Sequence, residues 1–184
     1  MNSMVEMSKF LSLVLRHAPE TIGLSLDGGG WAQIDVLLQR ANASGFPLDR
    51  EMLTQIVASS DKQRFVLSDD GEHIRANQGH SVQVDLELSP QVPPPCLFHG
   101  TATRFVESIR SGGLQPMERQ HVHLSSDEQT AKNVGRRHGK PHILLVDAQA
   151  MHSQGHVFLL SRNGVWLTAS VPPEFIEFPA GGVE

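Results

Sequence analysis

The chain has 184 residues, 39% apolar and 19% charged, an ordinary balance for a globular protein that excludes a disordered, collagenous or coiled-coil chain. The longest purely aliphatic run, residues 143–146, is too short to span a bilayer, and the opening MNSMVEMSKF lacks the apolar stretch of a secretion signal. One cysteine, Cys96, cannot make an internal disulfide or a Cys-based zinc site, so a cytoplasmic location is expected. Net charge is −5 with the histidines neutral, which is not the balance of a general nucleic-acid binder. The acidity lies in residues 1–90, with 7 Lys/Arg against 12 Asp/Glu; residues 91–184 carry 8 of each and seven of the ten histidines. Arginine outnumbers lysine 11 to 4, so a phosphate-handling site built from converging guanidiniums stays open.

In chain order, Ser3 and Glu6 have the spacing of a capping box before Met7, Phe10, Leu11, Val14 and Leu15, predicting an amphipathic helix that stops near Ala18-Pro19. Ile22, Leu24 and Leu26 alternate like a short strand, and residues 27–30 form a turn. Ile34, Leu37, Leu38 and Ala41 mark a second helix ending near Gly45. Asp49 caps a third, with Met52, Leu53, Ile56 and Val57 on one face. Residues 65–68 and 72–76 flank Asp69-Asp70-Gly71, a hairpin signal. Three short helices and a hairpin suggest a winged-helix-like module over residues 1–90.

Residues 89–95, SPQVPPP, read as a stiff linker, because four prolines in seven residues continue neither a helix nor a central strand. Beyond it, strands are expected at 96–99, 121–124, 143–146 and 165–169, with helices at 105–111, 127–138 and 147–153. The second lobe, residues 91–184, is therefore mixed, and the chain is α+β with two lobes. No heptad or exposed apolar stripe suggests an oligomer, so a monomer is expected.

Neither a G-x-x-x-x-G-K-S/T loop nor a G-x-G-x-x-G turn after a strand is present, which disfavours P-loop and Rossmann chemistry. His121 and His123 share a face if they lie on a strand, but no metal-ligand set accompanies them, and no metal is expected. Arg16-His17 and Arg136-Arg137-His138 each close a helix, where positive charge suits the dipole, so each alone is unremarkable. Arg64 and Arg119 read as strand-edge and loop charges. His99-Gly100-Thr101 differs: it ends a buried-looking strand just before a helix, and Gly100 would let a ligand approach the backbone. A buried histidine bonded to backbone explains that triplet equally well.

The strings SKFLSLVLRHAPE, GGWAQIDVLL, SSDKQRFVLSDDGEHIRANQGHS, LFHGTATRF, HVHLSSDEQTAKNVGRRHGKP and NGVWLT together resemble the RNA 2'-phosphotransferase family. The resemblance runs from about Ser8 to Phe178. It implies removal of an internal 2'-phosphate from RNA with NAD as co-substrate, a winged-helix-like first lobe and a second lobe of the ADP-ribosyltransferase kind. The family's Arg-His-Arg-Arg catalytic set falls on Arg16, His17, Arg64 and Arg119. Its NAD contacts fall on His99, Gly100 and Thr101, on His123, Leu124 and Ser125, and on Gly135, Arg136 and Arg137. If the four catalytic residues converge, the site lies in a cleft between the lobes.

The resemblance also implies a two-step reaction. The RNA 2'-phosphate attacks the nicotinamide ribose and expels nicotinamide; the ribose 2''-hydroxyl then attacks the bridging phosphate. RNA with a 2'-hydroxyl and ADP-ribose 1'',2''-cyclic phosphate are released. A phosphate nucleophile needs no general base, which makes the lack of an acid in residues 163–166 tolerable. His17 either protonates the departing RNA oxygen or assists the attacking hydroxyl. Two alternatives remain open: transfer of ADP-ribose to a terminal nucleic-acid phosphate or a protein, and a winged-helix regulator with a ligand-sensing second lobe. The second is disfavoured because residues 49–59 carry only Arg50 as a base.

Overall fold

The structure, a computed structural model, describes residues 3–60 and 62–179, with the backbone alone at His138. The chain divides into two compact units, Met1–Glu87 and Leu88–Glu184, each with its own core. The described residues form six α-helices and nine short strands, a mixed α/β protein with small antiparallel sheets. No helix among them is long and apolar enough to cross a membrane.

In unit 1, α1 (Met4–Arg16) starts at the expected capping box: Ser3 accepts from the Glu6 N–H, and the Glu6 carboxylate accepts from the Ser3 N–H at 2.7 Å. Its apolar face, Met7, Phe10, Leu11, Val14 and Leu15, is wholly in the core. Each such side chain stabilises the unit by roughly 1.5–3 kcal/mol. The alternation of Ile22, Leu24 and Leu26 does not make a strand. Pro19 opens a 3-10 turn over Pro19–Ile22, and Gly23, with φ +63°, ends it. Ile22 and Leu24 reach the core from that irregular backbone. The strand is β1 (Ala32–Gln33), which the sequence reading omitted; its register puts Ala32 opposite Ile74.

Helices α2 (Ile34–Ala43) and α3 (Arg50–Ala58) follow, the latter capped by the Asp49 carboxylate accepting from the Met52 N–H at 2.7 Å. Strands β2 (Phe65–Leu67) and β3 (His73–Ala76) form the expected hairpin, Phe65 facing Ala76, in a sheet ordered β1-β3-β2.

Unit 2 opens with the proline-rich stretch, which is fastened rather than free. Pro90 bridges Leu159, and the Gln91 N–H donates to the Phe158 carbonyl. These residues belong to unit 2 because they pair with an available strand edge, so the stretch is no linker. Next come β4 (Cys96–Ala102), α4 (Val106–Gly112), β5 (Val122–Leu124), α5 (Glu128–Gly135), β6 (Pro141–Asp147) and α6 (Ala148–Ser153). They are followed by β7 (Phe158–Leu160), β8 (Trp166–Thr168) and β9 (Ile176–Glu177), of which β7 and β9 were not expected. One sheet runs β4-β6-β9 and another β5-β8-β7, and Phe98 and Ser125 exchange backbone bonds at 2.8 Å to join them.

Helix α5 crosses β4 without room for side chains. A Cβ on Gly100 would stand 1.7 Å from the Ala131 carbonyl oxygen, and one on Gly135 would stand 2.8 Å from that of Thr101. The side-chain position of Gly100 is thus spent on the helix crossing. Gly100→Ala is expected to destabilise unit 2 by about 3 kcal/mol or more, the upper range for overpacking. Gly28→Ala, where a Cβ meets nothing within 4 Å, is expected to change stability little. Chemical denaturation of both variants checks the contrast.

Candidate active site

Unit 1 gathers three of the four expected catalytic residues. Arg16 ends α1, and its Nη2 donates to the Arg64 carbonyl at 3.4 Å, while its guanidinium lies 6.0 Å from the Phe65 ring centre. The same Arg64 carbonyl accepts the Asn77 N–H at 2.9 Å. His17 caps the helix, its N–H donating to the Leu13 carbonyl, and its Nδ1 lies 3.0 Å from the Ser81 hydroxyl.

A cavity of about 520 Å³ opens beside these groups. His17, Arg64, Lys9, Ser12 and Ser60 give it a cationic, hydroxyl-bearing side, and Met4, Val5 and Leu13 give it an apolar side. Its lining includes no acidic side chain among the described residues. The carboxylates are elsewhere: Asp35 and Glu72 are held by Arg50, at 2.8 and 3.4 Å.

Two buried cation-forming residues back this cluster, and the sequence reading gave neither a role. Arg75 is 6% exposed; it stacks 4.4 Å over the Trp31 ring, and its Nη1 donates to the Gly29 carbonyl at 3.1 Å. His80 is 2% exposed, and neither ring nitrogen has a hydrogen-bond partner among the described residues. Burial pushes its pKa down to about 4, helped by the positive charges of Arg16, His17 and Arg75. Gly30 accommodates it: φ is +79°, and a Cβ there would stand 3.3 Å from His80 Nε2.

Unit 2 holds the fourth residue and the expected cofactor contacts. Arg119 follows a tight turn in which its N–H donates to the Pro116 carbonyl at 3.1 Å. Its Nη1 donates to His123 Nδ1, which fixes His123 in the tautomer with hydrogen on Nε2. In turn the His123 carbonyl accepts from His99 Nδ1 at 3.0 Å. Partial burial, then the nearby Arg137 charge, lowers Arg119 below its ordinary value, although a guanidinium remains charged at neutral pH. His99, His123 and Arg119 are thus one polar cluster, with the Arg137 charge close enough to act on Arg119. Thr101 and Leu124 are buried, Leu124 in the core, so the Leu124 side chain packs. Ser125 serves the bridge to Phe98, and Arg136 is exposed on the turn after α5. His121 sits just outside β5, so the pairing with His123 on one strand face does not arise. No group of three or more His, Cys, Asp or Glu side chains able to hold a metal occurs among the described residues.

Comparison with known proteins gives a consistent family. The sequence model of the RNA 2'-phosphotransferase, Tpt1 / KptA family matches residues 2–170. A protein of Agrobacterium fabrum named probable RNA 2'-phosphotransferase is 61% identical over 94% of this chain and 93% of its own length. Proteins of the same name from Rhodopirellula baltica and Streptomyces coelicolor are 56% and 54% identical, each over 96% of both chains.

The state of His80 has a measurable consequence for unit 1. Its folded pKa lies below the unfolded value of 6.5, so the unfolded chain takes up the proton first. Stability is therefore lost as pH falls from about 6.5 towards 4, by about 2 kcal/mol at pH 5 from this group. His80→Leu is expected to lose less stability between pH 7 and pH 5 than the unaltered chain. Urea denaturation of both proteins at the two pH values measures the difference.

Proposed function

Because the chain belongs to the RNA 2'-phosphotransferase, Tpt1 / KptA family, we propose that it removes an internal 2'-phosphate from RNA by transferring it to NAD. The carrying observation is the acid-free, arginine- and histidine-lined cavity of unit 1, together with the second cationic cluster in unit 2. In this reading unit 1 is winged-helix-like: α1 to α3, then a β-hairpin extended by β1. Unit 2 is ADP-ribosyltransferase-like, with two small antiparallel sheets and no glycine-rich phosphate loop.

Guanidiniums bind a phosphate dianion through paired, charge-assisted hydrogen bonds, a part taken by Arg16 and Arg64 in unit 1, and Arg119 offers the same chemistry in unit 2. NAD supplies the electrophilic ribose carbon, with nicotinamide as leaving group, and then the ribose 2''-hydroxyl. His99, His123 and Arg137 hold its anionic and ribose portions. The nucleophile in the first step is already an anion, so no side chain need take a proton. The second step forms a bond from the ribose 2''-oxygen to phosphorus and breaks the bond from phosphorus to the RNA 2'-oxygen. Charge grows on the phosphoryl oxygens, where the arginines stabilise it. The proton leaves the ribose hydroxyl and ends on the RNA oxygen, and His17 carries it. The products are RNA with a 2'-hydroxyl, nicotinamide and ADP-ribose 1'',2''-cyclic phosphate.

The test is an RNA oligonucleotide with one internal 2'-phosphate, incubated with the protein with and without NAD. Mass analysis should show NAD-dependent loss of phosphate from the RNA and appearance of the cyclic product. Arg64→Ala and Arg119→Ala should each slow product formation by about 100-fold or more, the effect of removing a donor at a charged transition state. Intact 2'-phosphate after prolonged incubation of folded protein with NAD would overturn the proposal. Stable ADP-ribosylated RNA from the unaltered protein would instead favour a one-step transferase.

A further inference from the structure

The segment after β3 returns to the end of α1, and no role in the reaction has been given to it. It begins at Asn77, whose N–H donates to the Arg64 carbonyl at 2.9 Å. It ends with the Ser81 and Val82 N–H groups donating to the Arg16 carbonyl at 2.9 and 3.3 Å. Gly79, at φ +90°, makes the bend, and His80 is buried between these attachments. Burying an imidazole without partners costs stability, so His80 stays inside only because the packing around it is well determined. The result is a backbone-fixed position for Ser81, next to His17.

We infer that Ser81 is the positioning residue for His17: its hydroxyl accepts from His17 Nδ1–H and leaves Nε2 as the nitrogen that exchanges protons with substrate. The inference rests on the proposed function for its catalytic consequence. The geometry is direct. Ser81 Oγ lies 3.0 Å from Nδ1 and 3.5 Å from the Arg16 carbonyl oxygen. In the inferred arrangement the hydroxyl hydrogen is directed at the Arg16 carbonyl, which only accepts, and the oxygen lone pair faces the ring. That arrangement is the same whether His17 is neutral or protonated, because the Nδ1 hydrogen stays in place in both states. Neutral His17 therefore starts as a base at Nε2. It takes the proton of the ribose 2''-hydroxyl as the oxygen–phosphorus bond forms, and gives the same proton to the RNA 2'-oxygen as its bond to phosphorus breaks. One residue then performs both roles that the sequence left open, and the proton count closes.

The experiment compares the unaltered protein, Ser81→Ala and Ser81→Thr on the 2'-phosphorylated oligonucleotide with NAD, and records imidazole nitrogen spectra of each, with His17→Gln identifying the His17 signals. Ser81→Ala should lower kcat about tenfold with little change in KM, the size of one lost side-chain hydrogen bond felt in the proton transfer. Ser81→Thr, which keeps a hydroxyl, should restore most of that rate. The spectrum should show neutral His17 with hydrogen on Nδ1 in the unaltered protein and a shift towards the other tautomer in Ser81→Ala. An unchanged kcat in Ser81→Ala overturns the inference. So does an equal loss in the Ala and Thr variants with an unchanged tautomer. No NAD-dependent turnover by the unaltered protein overturns the proposed function instead, and the spectra alone then decide whether Ser81 holds the ring.

Discussion

Two backbone carbonyls, those of Arg16 and Arg64, hold the end of α1, the start of β2 and the segment after β3 together. Each takes hydrogen bonds from the 77–82 segment, and the Arg64 carbonyl also takes the Arg16 guanidinium. Their positions come from packing. Arg16 is the last residue of a helix whose apolar face is fully buried, and Arg64 stands directly before Phe65, which is also in the core. Burial of ordinary hydrophobic side chains therefore decides where two cationic side chains begin. The ties from the 77–82 segment are made by backbone groups, so replacing the Arg64 side chain leaves them in place, whereas replacing Arg16 also removes its guanidinium bond to the Arg64 carbonyl. A side chain like that of Arg64 is a good place for function in a marginally stable fold.

Unit 2 solves a similar problem with different means. Its frame is the seven-residue ladder of β4 with β6, clamped by α5 over Gly100 and Gly135. From that frame a relay of polar contacts runs from His99 Nδ1 to the His123 carbonyl, and from His123 Nδ1 to Arg119. The Arg119 guanidinium only donates and the His123 carbonyl only accepts, so His123 receives at Nδ1 and His99 carries hydrogen on Nδ1. A loop arginine thereby becomes an oriented one, although its own backbone lies outside any regular element.

The parts of the sequence that spoke clearly are those where cause and effect are close in the chain. The Ser3–Glu6 box, the Asp49 cap, the apolar spacing of α1 and the Asp70-Gly71 turn are all local devices, and each forms as read. Residues 22–26 misled because alternation is compatible with an irregular turn when Pro19 and Gly23 set its ends. Strands β1 and β9 are two residues long and exist only through distant partners, so no window of sequence contains their signal; β7 pairs with its chain neighbour β8 across a short turn, and its three residues are too few to show a period. Gly100 misled in another way: a glycine beside polar residues suggested ligand access, whereas the space it leaves is filled by a helix more than thirty residues further on. The tie between Ser81 and His17 spans 64 positions and was invisible for the same reason. The expected arginine and histidine set came from a family pattern that no physical rule of spacing would have assembled.

The net charge of the chain and the charge at one of its surfaces are different quantities. A net charge of −5 sets the distant field and limits indiscriminate attraction to nucleic acid. The near field is set by which charges share a surface. Asp35 and Glu72 are spent on Arg50, and the α1 cavity has no acidic wall among the described residues. Inside, His80 is held neutral by burial and by its cationic neighbours, so the cluster does not gain a further positive charge near neutral pH. The Arg64 guanidinium and the Lys9 ammonium thus share a surface with hydroxyl groups.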